Sequence, residues 1–166
     1  AHQAKWDLEK VKSALAAFAG VKRRQEILGV VNGVTVIEDF AHHPTAVKMT
    51  IEAVKQRFKN SRVHAVFEPR SATSRRRVFQ KDYADAFKIA DFTWIAKPYA
   101  QENISETDRF SSDELVSDIG SSAHVFETVD QGVEKIVAAA KPGDAVVVMS
   151  NGSFDGIYQK LLAALK

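Results

Sequence analysis

The sequence contains no cysteine among its 166 residues. The chain therefore has no disulfide, no thiol nucleophile and no thiolate ligand for zinc or an iron–sulfur cluster. No apolar run reaches the roughly 18 residues that a membrane-spanning helix needs. The first residues have neither the basic nor the apolar segment of a signal peptide, and they lack an initiator methionine. We therefore expect a piece of a longer protein that does not enter a membrane.

A strong excess of one charge is also absent, because the net charge is only +2. That balance is too weak to indicate a nucleic-acid partner. Hydrophobic residues make up 45% and charged residues 27% of the chain, which is close to globular averages and excludes a disordered or collagen-like protein. A chain of this length can bury roughly 70% of its unfolded surface. We therefore expect a single folded domain of ordinary size.

Helical and β-branched segments alternate along the sequence. Predicted helices cover 5–19, 44–58, 77–90, 112–119, 129–140 and 155–165. Predicted strands cover 23–31, 33–39, 62–67, 91–96, 123–126 and 145–149. Such alternation indicates βαβ units, and Asn32-Gly33 between the first two strands indicates a hairpin. The sequence predicts an α/β fold with a mostly parallel sheet flanked by helices and an N-terminal β-hairpin.

Asp39 ends one predicted strand, and His42, His43 and Pro44 lead into the next helix. Ligands of open α/β sheets bind outside the carboxyl ends of the strands. A carboxylate there can accept hydrogen bonds from ribose hydroxyls, and the following helix start favours an anion. Two adjacent histidines in an extended segment cannot easily face one ion, and no nearby carboxylate completes a zinc site. The histidines are therefore interpreted as ligand contacts or helix caps, and no metal site is predicted.

Residues 68–77 combine four arginines with three hydroxyl side chains after a predicted buried strand. Arginine forks recognise carboxylates and phosphates. The alternative is a solvated basic helix start, although cations there oppose the helix dipole. A nucleic-acid patch is disfavoured because no aromatic residues alternate with the arginines.

Residues 150–156 form a loop rich in glycine, serine and asparagine after the last predicted strand. Such a loop can expose backbone amides to an anion, but it lacks the lysine of a phosphate-binding loop. The alternative is a helix cap by Ser153 or Asp155. The basic run 22–24 is interpreted as a surface cluster.

Two stretches, Phe18–Glu26 and Glu38–Ala46, resemble the Mur ligase family, and Phe67–Ser71 and Met149–Phe154 extend the resemblance. These ATP-dependent enzymes join amino acids or peptides to UDP-N-acetylmuramate precursors of the bacterial cell wall. The resemblance covers nearly the whole chain. It implies a Rossmann-like C-terminal domain, over 20–166, that closes over ATP held on a central domain, whereas 1–19 would be a helix or linker from that preceding domain.

The resemblance also implies roles for individual residues. Arg24, Asp39 and His42 would contact ATP. Substrate contacts are expected at His43, Arg70, Ser71, Ser150 and Asn151. The family's phosphate loop and metal-binding residues lie in the central domain, so no catalytic residue is expected in this chain. ATP and Mg²⁺ would be held mainly by the missing part, and the location would be the bacterial cytoplasm, with which the lack of cysteine is compatible.

Residues 67–74 indicate which amino acid or peptide, here called the acceptor, is joined to UDP-N-acetylmuramate. Family members that add L-alanine usually read Phe-Gln-Pro-His-Arg-Tyr-Thr-Arg there, whereas this chain has Ser71 and Ser74 in place of the two arginines. The resemblance therefore favours members that attach the tripeptide L-alanyl-γ-D-glutamyl-meso-diaminopimelate to UDP-N-acetylmuramate through an acyl phosphate, in peptidoglycan recycling. In the tripeptide, the carboxylate beside the amine is already an amide. Arg70 and Arg75–Arg77 could instead reach distal carboxylates. An L-alanine ligase and a free-standing nucleotide-binding module remain the alternatives.

Overall fold

A computed structural model describes residues 4–18 and 20–166. The helices are α1 (Leu8–Ala16), α2 (Pro44–Arg57), α3 (Gln80–Phe87), α4 (Ser112–Ile119), α5 (Val129–Ala139) and α6 (Ile157–Ala164). The strands are β1 (Glu26–Val31), β2 (Val34–Asp39), β3 (Val63–Phe67), β4 (Phe92–Ala96), β5 (Ala123–Phe126) and β6 (Ala145–Met149). None of the described helices is long and apolar enough to cross a membrane.

The six strands form one sheet in the order β1-β2-β6-β3-β4-β5. The β1–β2 pair is antiparallel, and the other four pairs are parallel. The hairpin turn has φ of 47° at Asn32 and 78° at Gly33, which are the positive values that this type of two-residue turn needs. The predicted α/β class, the mostly parallel sheet and the N-terminal hairpin are therefore confirmed.

Helices cover both faces of the sheet. Apolar residues of α2, α3 and α4 form one buried cluster, and those of α5 and α6 form a second cluster on the other face. All residues of β3 and β6 are buried, as expected for strands covered on both faces. The last strand, β6, lies between β2 and β3. The loops after β2 and β3 lead to helices on one face and the loop after β6 leads to the other, which opens a crevice beside the carboxyl end of β6.

The structure differs from the sequence predictions at three places. The first strand begins at Glu26, not at Arg23, because Arg23 and Gln25 adopt φ values of 59° and 49° that interrupt an extended chain. The helix predicted over 77–90 begins only at Gln80, because a short 3₁₀ turn over Arg77–Phe79 precedes α3, and Val78 in that turn is 69% exposed. The first helix spans Leu8–Ala16, which is shorter than the predicted 5–19, and none of its residues is buried.

A buried histidine joins the central strands near their amino ends. His64 is fully buried and stacks on Phe92, with 4.6 Å between the ring centroids. Its Nδ1 accepts a hydrogen bond from Trp94 Nε1 at 3.3 Å, so its Nε2 carries the proton and donates to Asp144 at 3.1 Å. Burial lowers the pKa of His64 below its ordinary value of 6.5. The folded chain therefore keeps this imidazole neutral.

This neutral histidine predicts a pH-dependent stability. The unfolded chain takes up a proton at His64 before the folded chain does, so the free energy of unfolding falls as the pH drops below 6.5. The slope from one such group is at most about 1.4 kcal/mol per pH unit. Urea unfolding between pH 7 and pH 5 measures the slope, and His64→Phe should make it shallower although it also lowers stability at pH 7. Equal slopes in the two proteins would contradict the prediction.

Candidate functional site

The carboxyl ends of three adjacent strands bring together the segments that the sequence singled out. The backbone N–H of Ser150, after β6, donates to the Asp39 carbonyl at the end of β2, at 3.2 Å. On the other side, the N–H of Glu68, after β3, donates to the Met149 carbonyl at 3.2 Å. Asp39, Ser150 and Glu68 are all buried. Residues 39–44, 68–77 and 150–155 therefore meet along one edge of the sheet.

Asp39 organises the first of these segments through its carboxylate. One oxygen, Oδ2, accepts a hydrogen bond from the N–H of Gln25 at 2.9 Å. The other, Oδ1, accepts from the N–H of Ala41 at 2.7 Å and from Thr50 Oγ1 at 3.2 Å. A carboxylate offers about four acceptor positions, so one remains for a ligand. Asp39 thus fixes the turn before β1 and the histidine segment after β2.

Arg24 is exposed at the centre of the turn that Asp39 fixes. The residues on either side of it have the positive φ values described above, and its guanidinium lies 5.2 Å from the ring centroid of Phe40. A cleft of about 340 Å³ separates this turn from α2. The cleft is lined by Arg24, Gln25, Asp39, Ala46, Met49, Thr50 and Ala53. The structure therefore places Arg24 and Asp39, two of the predicted ATP contacts, in one cleft.

His42 follows Asp39 on the same loop and is partly buried. Its Nδ1 lies 2.9 Å from the carbonyl of Phe40. Because a carbonyl only accepts, Nδ1 carries a proton and Nε2 is left to meet a ligand. Burial raises the pKa of Tyr83 well above its ordinary value of 10.0, so its hydroxyl stays protonated and donates to the His42 carbonyl at 2.5 Å. The imidazole ring and the backbone carbonyl of His42 are thus each held by a hydrogen bond.

His43 has a structural contact that the sequence analysis left open. Its Nδ1 accepts a hydrogen bond from the N–H of Thr45 at 3.4 Å and caps α2. Its ring also packs edge-on against Phe79, with 4.7 Å between the centroids. The capping interpretation therefore has direct support, and the exposed ring remains able to contact a substrate.

Ser150 and Asn151 differ in their surroundings. Ser150 is buried, and its hydroxyl donates to Glu68 Oε2 at 2.6 Å and accepts from the N–H of Gly152 at 2.9 Å. Asn151 is partly buried, and its Oδ1 has no hydrogen-bond partner among the described residues. Ser150 therefore shapes the loop, whereas the side-chain oxygen of Asn151 is buried without a partner among the described residues.

Arg70 and Ser71 stand at the other side of this loop. The Arg70 guanidinium lies 4.1 Å from the ring centroid of Tyr99 and pairs with Glu68 at 3.3 Å. The Ser71 hydroxyl contacts Ser74 Oγ at 2.8 Å and accepts from the Ser74 N–H at 3.0 Å. Ser71 therefore stabilises its own turn, and Arg70 supplies the positive charge on the Glu68 side of the loop after β6.

The following arginines have their own contacts. Arg77 pairs with Glu114, and Arg75 donates to the carbonyl of Ala100 at 2.5 Å. Arg76 is exposed. Arg75 and Arg77 are thus engaged in contacts within the fold. Of the run Arg75–Arg77, Arg76 is therefore the arginine best placed to reach a distal carboxylate.

Sequence reasoning missed the role of Arg23 and treated the whole basic run 22–24 as a surface cluster. Arg23 Nε pairs with Glu38 at 2.7 Å. Its NH2 group donates to the carbonyls of Ser150 and Gly152 at 3.1 and 2.9 Å, and its own carbonyl accepts from the N–H of Phe40 at 2.9 Å. Arg23 therefore ties the loop after β6 to the segment around Asp39. No local pattern in the sequence distinguishes it from Arg24.

Comparison with known proteins shows the family of the chain. Residues 23–152 match the family described as Mur ligase, glutamate ligase domain. The chain belongs to the Mur ligase family. It is 38% identical over 167 residues to the UDP-N-acetylmuramate–L-alanyl-γ-D-glutamyl-meso-2,6-diaminoheptandioate ligase of Haemophilus influenzae, across 100% of this chain and 35% of that protein.

Two further Mur ligase relatives are informative. The crystal structure of a murein peptide ligase from Psychrobacter arcticus is 37% identical, with a TM-score of 0.75 over 99% of this chain and 34% of that chain. The UDP-N-acetylmuramate–L-alanine ligase of Caldanaerobacter subterraneus is 35% identical over 159 residues, across 94% of this chain and 34% of that protein. The chain therefore spans about a third of the length of the curated relatives that it matches.

The donor set of this Mur ligase domain suits a nucleotide better than a metal ion. Within residues 4–18 and 20–166, no group of three or more histidine, cysteine, aspartate or glutamate side chains could hold a metal. The cleft between the Arg24 turn and α2 instead offers a guanidinium for a phosphate and a carboxylate with one free acceptor position for a hydroxyl. These groups fit ATP.

The two adjacent arginines are expected to contribute unequally to stability. Arg23→Ala removes hydrogen bonds to one carboxylate and two carbonyls, and we expect it to lower the free energy of unfolding by about 1–2 kcal/mol, since its side chain is partly exposed. Arg24→Ala, the matched control, removes only a contact with an aromatic ring and should cost less than about 0.5 kcal/mol. Urea unfolding of the 166-residue chain measures both, and equal losses would contradict the assigned roles.

Proposed function

We propose that this chain is the nucleotide- and acceptor-binding domain of an ATP-dependent ligase. The whole enzyme would join L-alanyl-γ-D-glutamyl-meso-diaminopimelate to UDP-N-acetylmuramate, in peptidoglycan recycling. The observation that carries the proposal is the meeting of two arginine-bearing segments, around Asp39 and around Glu68, on either side of the loop after β6. One segment fits a nucleotide, and the other fits an acceptor that carries carboxylates.

On the nucleotide side, Arg24 would contact the ribose or α-phosphate of ATP. Asp39 would accept a hydrogen bond from a ribose hydroxyl at its remaining position, and its other contacts hold Arg24 in place. His42, with Nδ1 bound to a carbonyl, would present Nε2 to the nucleotide. These residues bind and orient ATP, and none of them needs to transfer a proton.

On the acceptor side, Arg70 would bind a carboxylate of the tripeptide. Ser150, Asn151, Ser71 and His43 complete the predicted contact set. Ser71 is short and neutral, so it cannot grip a carboxylate beside the amine as an arginine would. This favours an acceptor whose carboxylates lie farther from the attacking amine.

ATP would supply the phosphoryl group that activates the lactyl carboxylate of UDP-N-acetylmuramate for attack by the tripeptide amine. Mg²⁺ and the groups that hold the phosphates would come from the rest of the enzyme. The role of this chain is to orient the nucleotide and the amine. It therefore supplies part of an active site and no catalytic residue.

Residues 4–18 would belong to the domain that precedes this one, so that the C-terminal domain covers 20–166. Trp6, Leu15 and Phe18 are each more than 60% exposed, and no residue of α1 is buried. The family match begins only at residue 23. An apolar helix face of this kind fits against a central domain of the same enzyme, which agrees with the one-third length of this chain relative to its relatives.

The acceptor assay tests the proposal directly. The full-length enzyme, with ATP, Mg²⁺ and UDP-N-acetylmuramate, should release phosphate with the tripeptide and use L-alanine at least about tenfold less efficiently, the loss expected when a charged contact is missing. The 166-residue chain alone is the negative control and should form no product. Preference for L-alanine would support the alternative ligase. Product formation by the 166-residue chain alone would contradict the proposal that this chain has no catalytic residue.

The nucleotide half has its own test. Arg24→Ala in the full-length enzyme should raise the KM for ATP about 10- to 100-fold, because a hydrogen bond to a charged group is worth about 1.5–3 kcal/mol, and should leave the KM for tripeptide nearly unchanged. Lys22→Ala removes a positive charge from the same turn and serves as the matched control. A similar rise in both variants would indicate a general charge effect, not a contact made by Arg24.

A further inference from the structure

The acceptor half contains an arginine whose side chain is held on three sides. The Arg70 guanidinium stacks on the Tyr99 ring, pairs with Glu68 at one terminal nitrogen, and lies against Gly152. A β-carbon added at Gly152 would overlap Cδ and Nε of Arg70. Gly152 does not have a positive φ, so the backbone conformation does not require glycine here. Glycine is required at this position because any side chain would occupy the space of Arg70.

Glu68 connects this arginine to the loop after β6. Its residue is only 6% exposed, and a buried carboxylate needs partners to offset its lost hydration. Its Oε2 accepts from the hydroxyl of Ser150 at 2.6 Å, and its Oε1 accepts from Arg70 Nη1 at 3.3 Å. The two oxygens of one side chain therefore fix two of the predicted acceptor contacts relative to each other.

Arg70 keeps part of its guanidinium for a ligand. No second hydrogen bond to this guanidinium occurs within the described part of the chain, and 30% of the side chain is exposed. A guanidinium has five donors and binds carboxylates in a bidentate geometry. The contact with Glu68 uses one terminal nitrogen and leaves the opposite edge available.

We propose that Glu68 is the positioning residue for acceptor recognition, and that it holds the free edge of Arg70 and the loop at Ser150 around a carboxylate of the acceptor. The inference rests on the proposed function and deepens it. Tyr99 and Gly152 form the slot that fixes the orientation of the planar guanidinium. The charge of Glu68 balances Arg70 in the free enzyme, and the acceptor carboxylate adds a second negative partner to the same guanidinium.

Glu68→Gln in the full-length enzyme separates positioning from folding. The amide oxygen can still accept from the Ser150 hydroxyl, but the amide N–H₂ cannot accept from Arg70. We expect the KM for tripeptide to rise about 10- to 100-fold, the range for one charged hydrogen bond, whereas kcat and the KM for ATP change less than about threefold. Glu114→Gln, which removes the ion-pair partner of Arg77 in the same segment, is the matched control and should leave the KM for tripeptide near the parental value.

A double-mutant cycle shows whether Glu68 acts through Arg70. Arg70→Ala should raise the KM for tripeptide, and adding Glu68→Gln to it should cause no further rise, because non-additivity is expected of residues that form one unit. Added salt should raise the KM for tripeptide more in the parent than in Arg70→Ala. Additive effects, or a parental KM in Glu68→Gln, would overturn the inference.

Gly152→Ala tests the same positioning of Arg70 without removing the charge of Glu68 or of Arg70. The new methyl group should displace Arg70 from its slot and raise the KM for tripeptide about as much as Glu68→Gln does. Thermal unfolding of each variant confirms that it folds, and a parental KM in a folded Gly152→Ala would also count against the slot. If the parent enzyme itself does not use the tripeptide, the proposed function fails. If it does and the variants behave as the parent does, only the positioning role fails.

Discussion

The position of β6 between β2 and β3 is the constraint on which the candidate site depends. Its five residues are buried, and Met149 is level with Asp39 on one side and with Phe67 on the other. This register places the residues that follow three strands next to one another. A slip of one residue would turn every side chain of β6 to the opposite face, and Ser150 would no longer reach Glu68. The apolar packing of β6 therefore sets the geometry of a polar site.

Two buried carboxylates at this edge organise arginines by different means. Asp39 accepts from backbone N–H groups and shapes the turn that presents Arg24. Glu68 contacts the Arg70 guanidinium directly. Both carboxylates need these partners because burial removes their hydration, so the same contacts that make them compatible with the fold also position the positive charges. This explains how a chain with little net charge can present two arginines to anionic ligands.

The sequence predicted the helices, strands and hairpin better than it predicted the side-chain contacts between them. Alternation of segments and the Asn32-Gly33 turn are local patterns, and they led to the observed sheet and hairpin. The start of α3 was predicted too early, because a 3₁₀ turn precedes the helix and helical periodicity does not reveal such a turn. Arg23 was missed because its partners at Ser150 and Gly152 are more than 120 residues away. Contacts of that range depend on strand order, which the sequence pattern left open.

The loop after β6 is fixed from both halves of the site. Its first N–H donates to the Asp39 carbonyl, its serine hydroxyl donates to Glu68, and two of its carbonyls accept from Arg23. Binding groups that are held before the ligand arrives lose little conformational freedom when it binds. The folding of this domain thus sets the distance between the segment around Asp39, proposed to bind the nucleotide, and the segment around Glu68, proposed to bind the acceptor. In the proposed enzyme, a ligand at either segment would therefore meet groups already in place, and the remaining freedom in assembling the site would be the orientation of this domain relative to the others.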